Sequence, residues 1–237
     1  MKLLCITGGS QGLGAALVDV YQGLGWHVCE FSRSGSSSGH IGVDLAAGDA
    51  ASVADQAFSQ LASQPWEEVL LINNAGMLSP LAPVSAISDE AITFNLNVNF
   101  NSAIRIIAAF IRHFGDTAVP KTLVQISSGA ALRGYGSWSL YCASKAGLEH
   151  FIRALAAEQS LARYPVTCVN FDPGVMDTEM QAEIRSRSTA EFPDVGRYIA
   201  RKQQGLLRQP QDVAAALVKR LAASPQGGER YSVEDVL

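Results

Sequence analysis

The sequence predicts an α/β fold: a doubly wound parallel sheet of about seven strands with helices on both faces, forming one domain across residues 1–237. Three observations carry that expectation. Short apolar, β-rich runs alternate with longer segments of helical period from one end of the chain to the other. A glycine-rich turn, Thr7-Gly8-Gly9-Ser10-Gln11-Gly12-Leu13-Gly14, joins the first such run to the first helical segment. No internal repeat and no interdomain linker interrupts the alternation, so a single core suffices for this length.

Strands are expected at residues 2–7, 27–32, 41–43, 69–73, 122–127, 166–171 and 229–233. Helices are expected at 12–24, 50–63, 89–114, 141–162 and 210–223. The long segment 89–114 carries Ile92, Leu96, Asn99, Ala103, Ile106 and Phe110 at three-to-four spacing, the period of one helix face. Between the second and third strands stands Gly35-Ser36-Ser37-Ser38-Gly39, too short for the usual crossover helix. An exposed loop is expected there instead. The stretch 176–208 is long and aperiodic, as a lid over a substrate is.

Bulk properties exclude several classes. The chain is 48% hydrophobic and 17% charged with a formal net charge of −4, which suits a packed core and gives no basic surface for nucleic acid. Only four apolar residues, Leu3 to Ile6, precede the first turn, and no run approaches the roughly 20 apolar residues of a membrane span. The cysteines Cys5, Cys29, Cys142 and Cys168 show no Cys-x-x-Cys pair, and three lie in strand-like runs, which predicts buried reduced thiols. A cytoplasmic protein is the expectation. His27, His40, His113 and His150 lack ligand spacing, so no metal site is expected.

The first turn has the composition of a phosphate cradle. Glycine lets the backbone turn tightly and approach a pyrophosphate, and the following helix start presents free N–H groups to anionic oxygens. A strand–turn–helix of this kind opens a Rossmann-like fold, although Gly8-x-x-x-Gly12-x-Gly14 differs from the spacing Gly-x-Gly-x-x-Gly. The turn alone also fits an ordinary tight connection. At the end of the second strand an acid would bind a ribose 2′-hydroxyl, whereas arginine accommodates a 2′-phosphate. The sequence offers Ser32, Arg33 and Ser34 there, which favours NADP(H); strand alternation sets Glu30 further back.

Five elements in order resemble the short-chain dehydrogenase/reductase family: Thr7-Gly8-x-x-x-Gly12-x-Gly14, Asn73-Asn74-Ala75-Gly76, Ser128, Tyr141-x-x-x-Lys145, and Asp172-Pro173-Gly174-x-x-x-Thr178. Tyr141 and Lys145 are neighbours on one helix face, and an ammonium beside a phenol favours its phenolate. The resemblance implies that Tyr141 moves the proton, that Ser128 bonds the substrate carbonyl, and that Lys145 holds the nicotinamide ribose. It also implies a helix asparagine. Asn95, Asn97, Asn99 and Asn101 compete for that place, and Asn99, 25 residues after Asn74, fits best.

By the same resemblance Ser10, Gln11 and Leu13 join the glycines at the phosphates. Asp44 and Leu45 bracket the adenine, and Asn74, Ala75 and Gly76 line the adenosine side. Pro173, Gly174, Val175 and Thr178 close over the nicotinamide. Trp138, Tyr141-Cys142-Ala143 and the run Gly174 to Gln181 resemble the sepiapterin reductase and benzil reductase branch. Tyr135, Trp138, Met176 and Met180, with Tyr198, would wall a bulky carbonyl substrate; Met176 and Met180 also suit plain packing. Pterin reductases anchor their substrate with a tail aspartate, and here Ser232 takes that place, with Asp235 nearby.

The expected activity is therefore NADPH-dependent reduction of a ketone or diketone, with sepiapterin-type reduction as the alternative. A non-catalytic NADP(H)-binding sensor is the rival of another class. A serine hydrolase using Ser128 lacks the Gly-x-Ser-x-Gly elbow, since the segment reads Gln125-Ile126-Ser127-Ser128-Gly129. The resemblance further implies a homodimer or homotetramer, paired through the helices near 89–114 and 141–162.

Overall fold

The computed structural model describes residues 1–236. Seven parallel strands form one sheet: β1 (Lys2–Thr7), β2 (His27–Ser32), β3 (His40–Gly42), β4 (Glu68–Asn73), β5 (Lys121–Ile126), β6 (Thr167–Asp172) and β7 (Arg230–Ser232). Their spatial order is β3-β2-β1-β4-β5-β6-β7, so the winding reverses between β1 and β4. Such a switch point leaves a crevice at the carboxyl ends of the strands, where ligands of open α/β sheets bind.

The strands are apolar on both faces because both faces are covered. On β1, Leu3 and Cys5 enter one core with Phe31, Phe58, Phe110 and Phe114, while Leu4 and Ile6 enter the other with Leu17, Val213 and Leu217. The first core lies under α2 (Ala50–Ala62), α4 (Ser102–Phe114) and α5 (Ser139–Gln159). The second lies under α1 (Gly12–Gly23) and α8 (Pro210–Ala222). Phe58 packs edge-on against Phe110 and Phe114 at ring separations of 5.8 and 6.1 Å. Each side chain so buried contributes about 1.5–3 kcal/mol.

No helix separates β2 from β3, and the next helix, α2, follows β3. The loop expected in place of a crossover is present. The expected helix 89–114 is not uniform, however. It runs as α3 (Asp89–Leu96), a π-helical turn at Asn97–Asn101, and α4. Asparagine is a poor helix former, and π turns gather where a helix is bent to a task. The aperiodic stretch 176–208 folds partly, into α6 (Glu179–Arg185) and α7 (Val195–Gln203).

All four cysteines are free thiols; Cys5, Cys29 and Cys168 are buried, and Cys142 is half-buried. Among the described residues no helix is long and apolar enough to cross a membrane.

Candidate active site

A cavity of about 700 Å³ opens at the carboxyl ends of the strands. It is a continuous trough from the first turn to the aromatic residues near α5.

Its first end is built by backbone. Gly8 and Gly12 sit at φ +68 and +55, a region L side chains rarely adopt, and a Cβ on Gly14 would lie 2.0 Å from the Gly8 oxygen. Asn74 Nδ2 braces the turn by donating to the Thr7 and Gly8 carbonyls at 3.1 and 2.9 Å. Thr7 in turn donates to Asn73, and Asn73 to Gln125, tying the ends of β1, β4 and β5 together. Gln11, at the start of α1, makes no side-chain cap, so the N–H groups there stay available to an anion. A Cβ on Gly12 would meet only Thr178, at 3.4 Å, which marks the open side of the cradle.

Ser32, Arg33 and Ser34 line the cavity beyond that cradle, with Asp44 and Leu45. The Ser32 hydroxyl is buried without a partner, and Arg33 is exposed and in no ion pair among the described residues. Glu30 is buried and turned away: it accepts from the Gly9 N–H at 3.0 Å and pairs with His40 at 2.7 Å. Tight glycine backbone, an uncapped helix start, an orphaned hydroxyl and a free guanidinium together fit a phosphorylated dinucleotide.

Ser128 extends from the end of β5, and Tyr141 and Lys145 project from α5; all three line the cavity. The Ser128 oxygen accepts from the Ala130 N–H at 3.1 Å, which orients the hydroxyl. Lys145 lies 5.5 Å from the centre of the Tyr141 ring and donates to the Ile126 carbonyl at 2.8 Å. Burial pushes the Tyr141 phenol up to about 12, against the lowering effect of its hydrogen bond with Ser128. Burial likewise pushes Lys145 down to about 8, while Asp172 and Glu149 favour its ammonium. Desolvation outweighs the Ser128 hydrogen bond, so the Tyr141 phenol keeps its proton at neutral pH.

Asn99 stands beside Lys145 behind Gly76, where an added Cβ would lie 3.5 Å from its Oδ1 and 3.7 Å from the Lys145 Nζ. It is buried and does not line the cavity. Its amide is bound to the backbone of Met77, accepting from N–H and donating to C=O at 2.8 Å each, and it donates to Asn95 at 3.1 Å. Asn95 holds the Ser79 carbonyl at 2.7 Å, whereas Asn97 and Asn101 pair on the outer side. The other expected residues, Gly8, Ser10 to Gly14, Asn74 to Gly76, Pro173, Gly174, Val175 and Thr178, all line the cavity.

At the far end Tyr135, Trp138, Tyr141, Met180 and Tyr198 share one apolar cluster with Leu78, Ile184 and Phe192. Trp138 is stacked between Tyr135 at 4.8 Å and Phe192 at 5.1 Å. Met176 lines the cavity but packs against the α1–α8 core, so it stands apart from this aromatic wall. Phe192 and Leu78 went unnoticed in the sequence. Phe192 lies in the stretch 176–208, where no period marks it, and Leu78 carries only the signal of following Asn74-Ala75-Gly76.

A doubly wound sheet with a phosphate cradle and a Ser–Tyr–Lys centre defines an oxidoreductase of CH–OH and C=O groups. The chain belongs to the short chain dehydrogenase family, whose model matches residues 2–189. It is 35% identical to a benzil reductase ((S)-benzoin forming) of Bacillus subtilis (strain 168), over all of both chains. A sepiapterin reductase of Xenopus tropicalis is 29% identical, over 76% of this chain and 68% of its own. Among solved structures, a short chain dehydrogenase/reductase from Saccharomyces cerevisiae shares the fold, with a TM-score of 0.83 at 24% identity over 99% and 97% of the two chains.

Proposed function

We propose that the protein is an NADPH-dependent carbonyl reductase acting on bulky ketones or diketones. The observation that carries this reading is one trough holding both the phosphate cradle with Arg33 and the Ser128 and Tyr141 hydroxyls. The benzil reductase relative supports a diketone, and the Tyr135–Trp138 pair lining the trough, backed by buried Phe192, suits an aromatic one.

NADPH supplies the hydride when bound. Gly8 to Gly14 would hold the pyrophosphate and Arg33 the 2′-phosphate, and Pro173 to Thr178 would hold the nicotinamide end. Ser128 donates to the substrate carbonyl oxygen and stabilises the negative charge that develops there. Tyr141, a neutral phenol at neutral pH, gives that oxygen its proton. The Lys145 ammonium stabilises the phenolate left behind. Asn99 acts from behind the cavity by fixing the Met77 backbone.

The tail does not favour a pterin. Ser232 caps its own turn, and the Asp235 carboxylate accepts from the Ser232 N–H at 2.6 Å, so neither reaches the cavity. The test is NADPH oxidation against a panel of aromatic diketones, quinones and pterins. Fastest turnover with diketones is expected. Preference for pterins would replace the substrate assignment, and no oxidation at all would favour the sensor.

A further inference from the structure

Behind Ser128 and Lys145 the fold buries a charged cluster that the proton transfer does not use. Glu149, one helical turn beyond Lys145 on α5, is 1% exposed. One carboxylate oxygen accepts from the Ser127 hydroxyl at 2.5 Å and from Arg230 at 2.7 Å; the other accepts from Arg153 at 2.9 Å. Arg230, on β7, also donates to Asp172 at the end of β6 at 2.7 Å and reaches the Ser128 carbonyl at 3.5 Å. A carboxylate taken out of water is costly unless paired, and these three donors satisfy it.

We propose that Glu149, gripped by Arg230, is a positioning residue that fixes the Ser127–Ser128 strand end against α5 and keeps its charge beside Lys145. Successive side chains of an extended chain point to opposite sides, so anchoring Ser127 inward turns Ser128 toward the cavity. The same helix grips the same strand end twice, through Lys145 on the Ile126 carbonyl and through Glu149 on Ser127. Arg230 adds the end of β6, so three elements that meet at the reacting carbonyl share one ion network. The groups facing Lys145 are Tyr141 and Glu149 on its own helix and Asp172 on β6, with Arg230 bound to both carboxylates.

The kinetic consequences rest on the reductase reading; the charge beside Lys145 does not. Two variants test the proposal. Glu149→Gln should lower kcat about tenfold, as small misplacements of reacting groups do, with the KM for NADPH within about twofold. It should also move the Lys145 ammonium titration, followed by nitrogen NMR, to lower pH. Ser127→Ala keeps the buried charge and both arginine contacts, so kcat should fall while the titration stays in place. Folded Glu149→Gln protein with wild-type kcat and an unmoved titration would overturn the proposal, as would wild-type kcat in Ser127→Ala. Should Glu149→Gln fail to fold, Ser127→Ala decides alone. Should the wild-type enzyme reduce no carbonyl, the reductase reading falls, and the Lys145 titration in Glu149→Gln still decides this one.

Discussion

At the scale of single residues, the site balances desolvation against charge. Lys145 is depressed from 10.5 to about 8, so at pH 7 its buried ammonium costs about 3 kcal/mol. Losing its bond to the Ile126 carbonyl offsets about 1 kcal/mol. Lys145→Met should therefore abolish turnover yet raise stability by about 2 kcal/mol at pH 7. Between about 8 and 10.5 the unfolded chain holds a proton that the folded chain has released. Wild-type stability thus rises with pH across that window, and the advantage of the variant shrinks. Thermal melts at both ends of the window check the sign; a variant less stable at pH 7 would contradict it. Arg33→Ala should raise the KM for NADPH by about tenfold or more and leave that for NADH unchanged, as loss of a charge-assisted hydrogen bond does. An unchanged NADPH/NADH preference would refute the phosphate role. The place of Arg33 on the cavity was legible because it follows directly from one strand end. Glu149 and Arg230 were not, since 81 residues separate the partners and neither belongs to a motif.

At the scale of elements, local patterns were read well and their geometry less so. The glycine turn, the Tyr141–Lys145 face and the loop after β2 are sequence-local, and the structure places them as expected. The asparagines of 95–101 were visible as a cluster foreign to a helix, but not their division of labour. That division coincides with the π turn, from within which Asn99 bonds the Met77 backbone. Asn99→Ala would leave the Met77 N–H and C=O without their partner, which costs about 2–4 kcal/mol. A clear drop in melting temperature is expected, and an unchanged melt would contradict the bracing role. Within 176–208, α6 and α7 are too short to show a period, and Phe192 packs on Trp138, far from it in sequence.

At the scale of the whole molecule, the alternation of apolar runs with helical segments was enough to foresee the two-faced parallel sheet. Strand order follows from the winding reversal between β1 and β4, and that reversal creates the trough in which every proposed step occurs. Small exposed residues on α5, Ala143, Ala146 and Ala154, would let a second copy approach closely, and pairing through α4 and α5 should give a dimer or tetramer in sedimentation. A monomer at micromolar concentration would contradict that pairing. In the proposed reaction Tyr141 hands its proton to a carbonyl beside NADPH. It is tested most directly by following NADPH oxidation with an aromatic diketone in wild-type protein and in Tyr141→Phe, alongside NADPH binding by fluorescence. Turnover in the wild type, its loss in the variant and equal NADPH binding in both are the predicted result; a variant that still turns over would contradict the account.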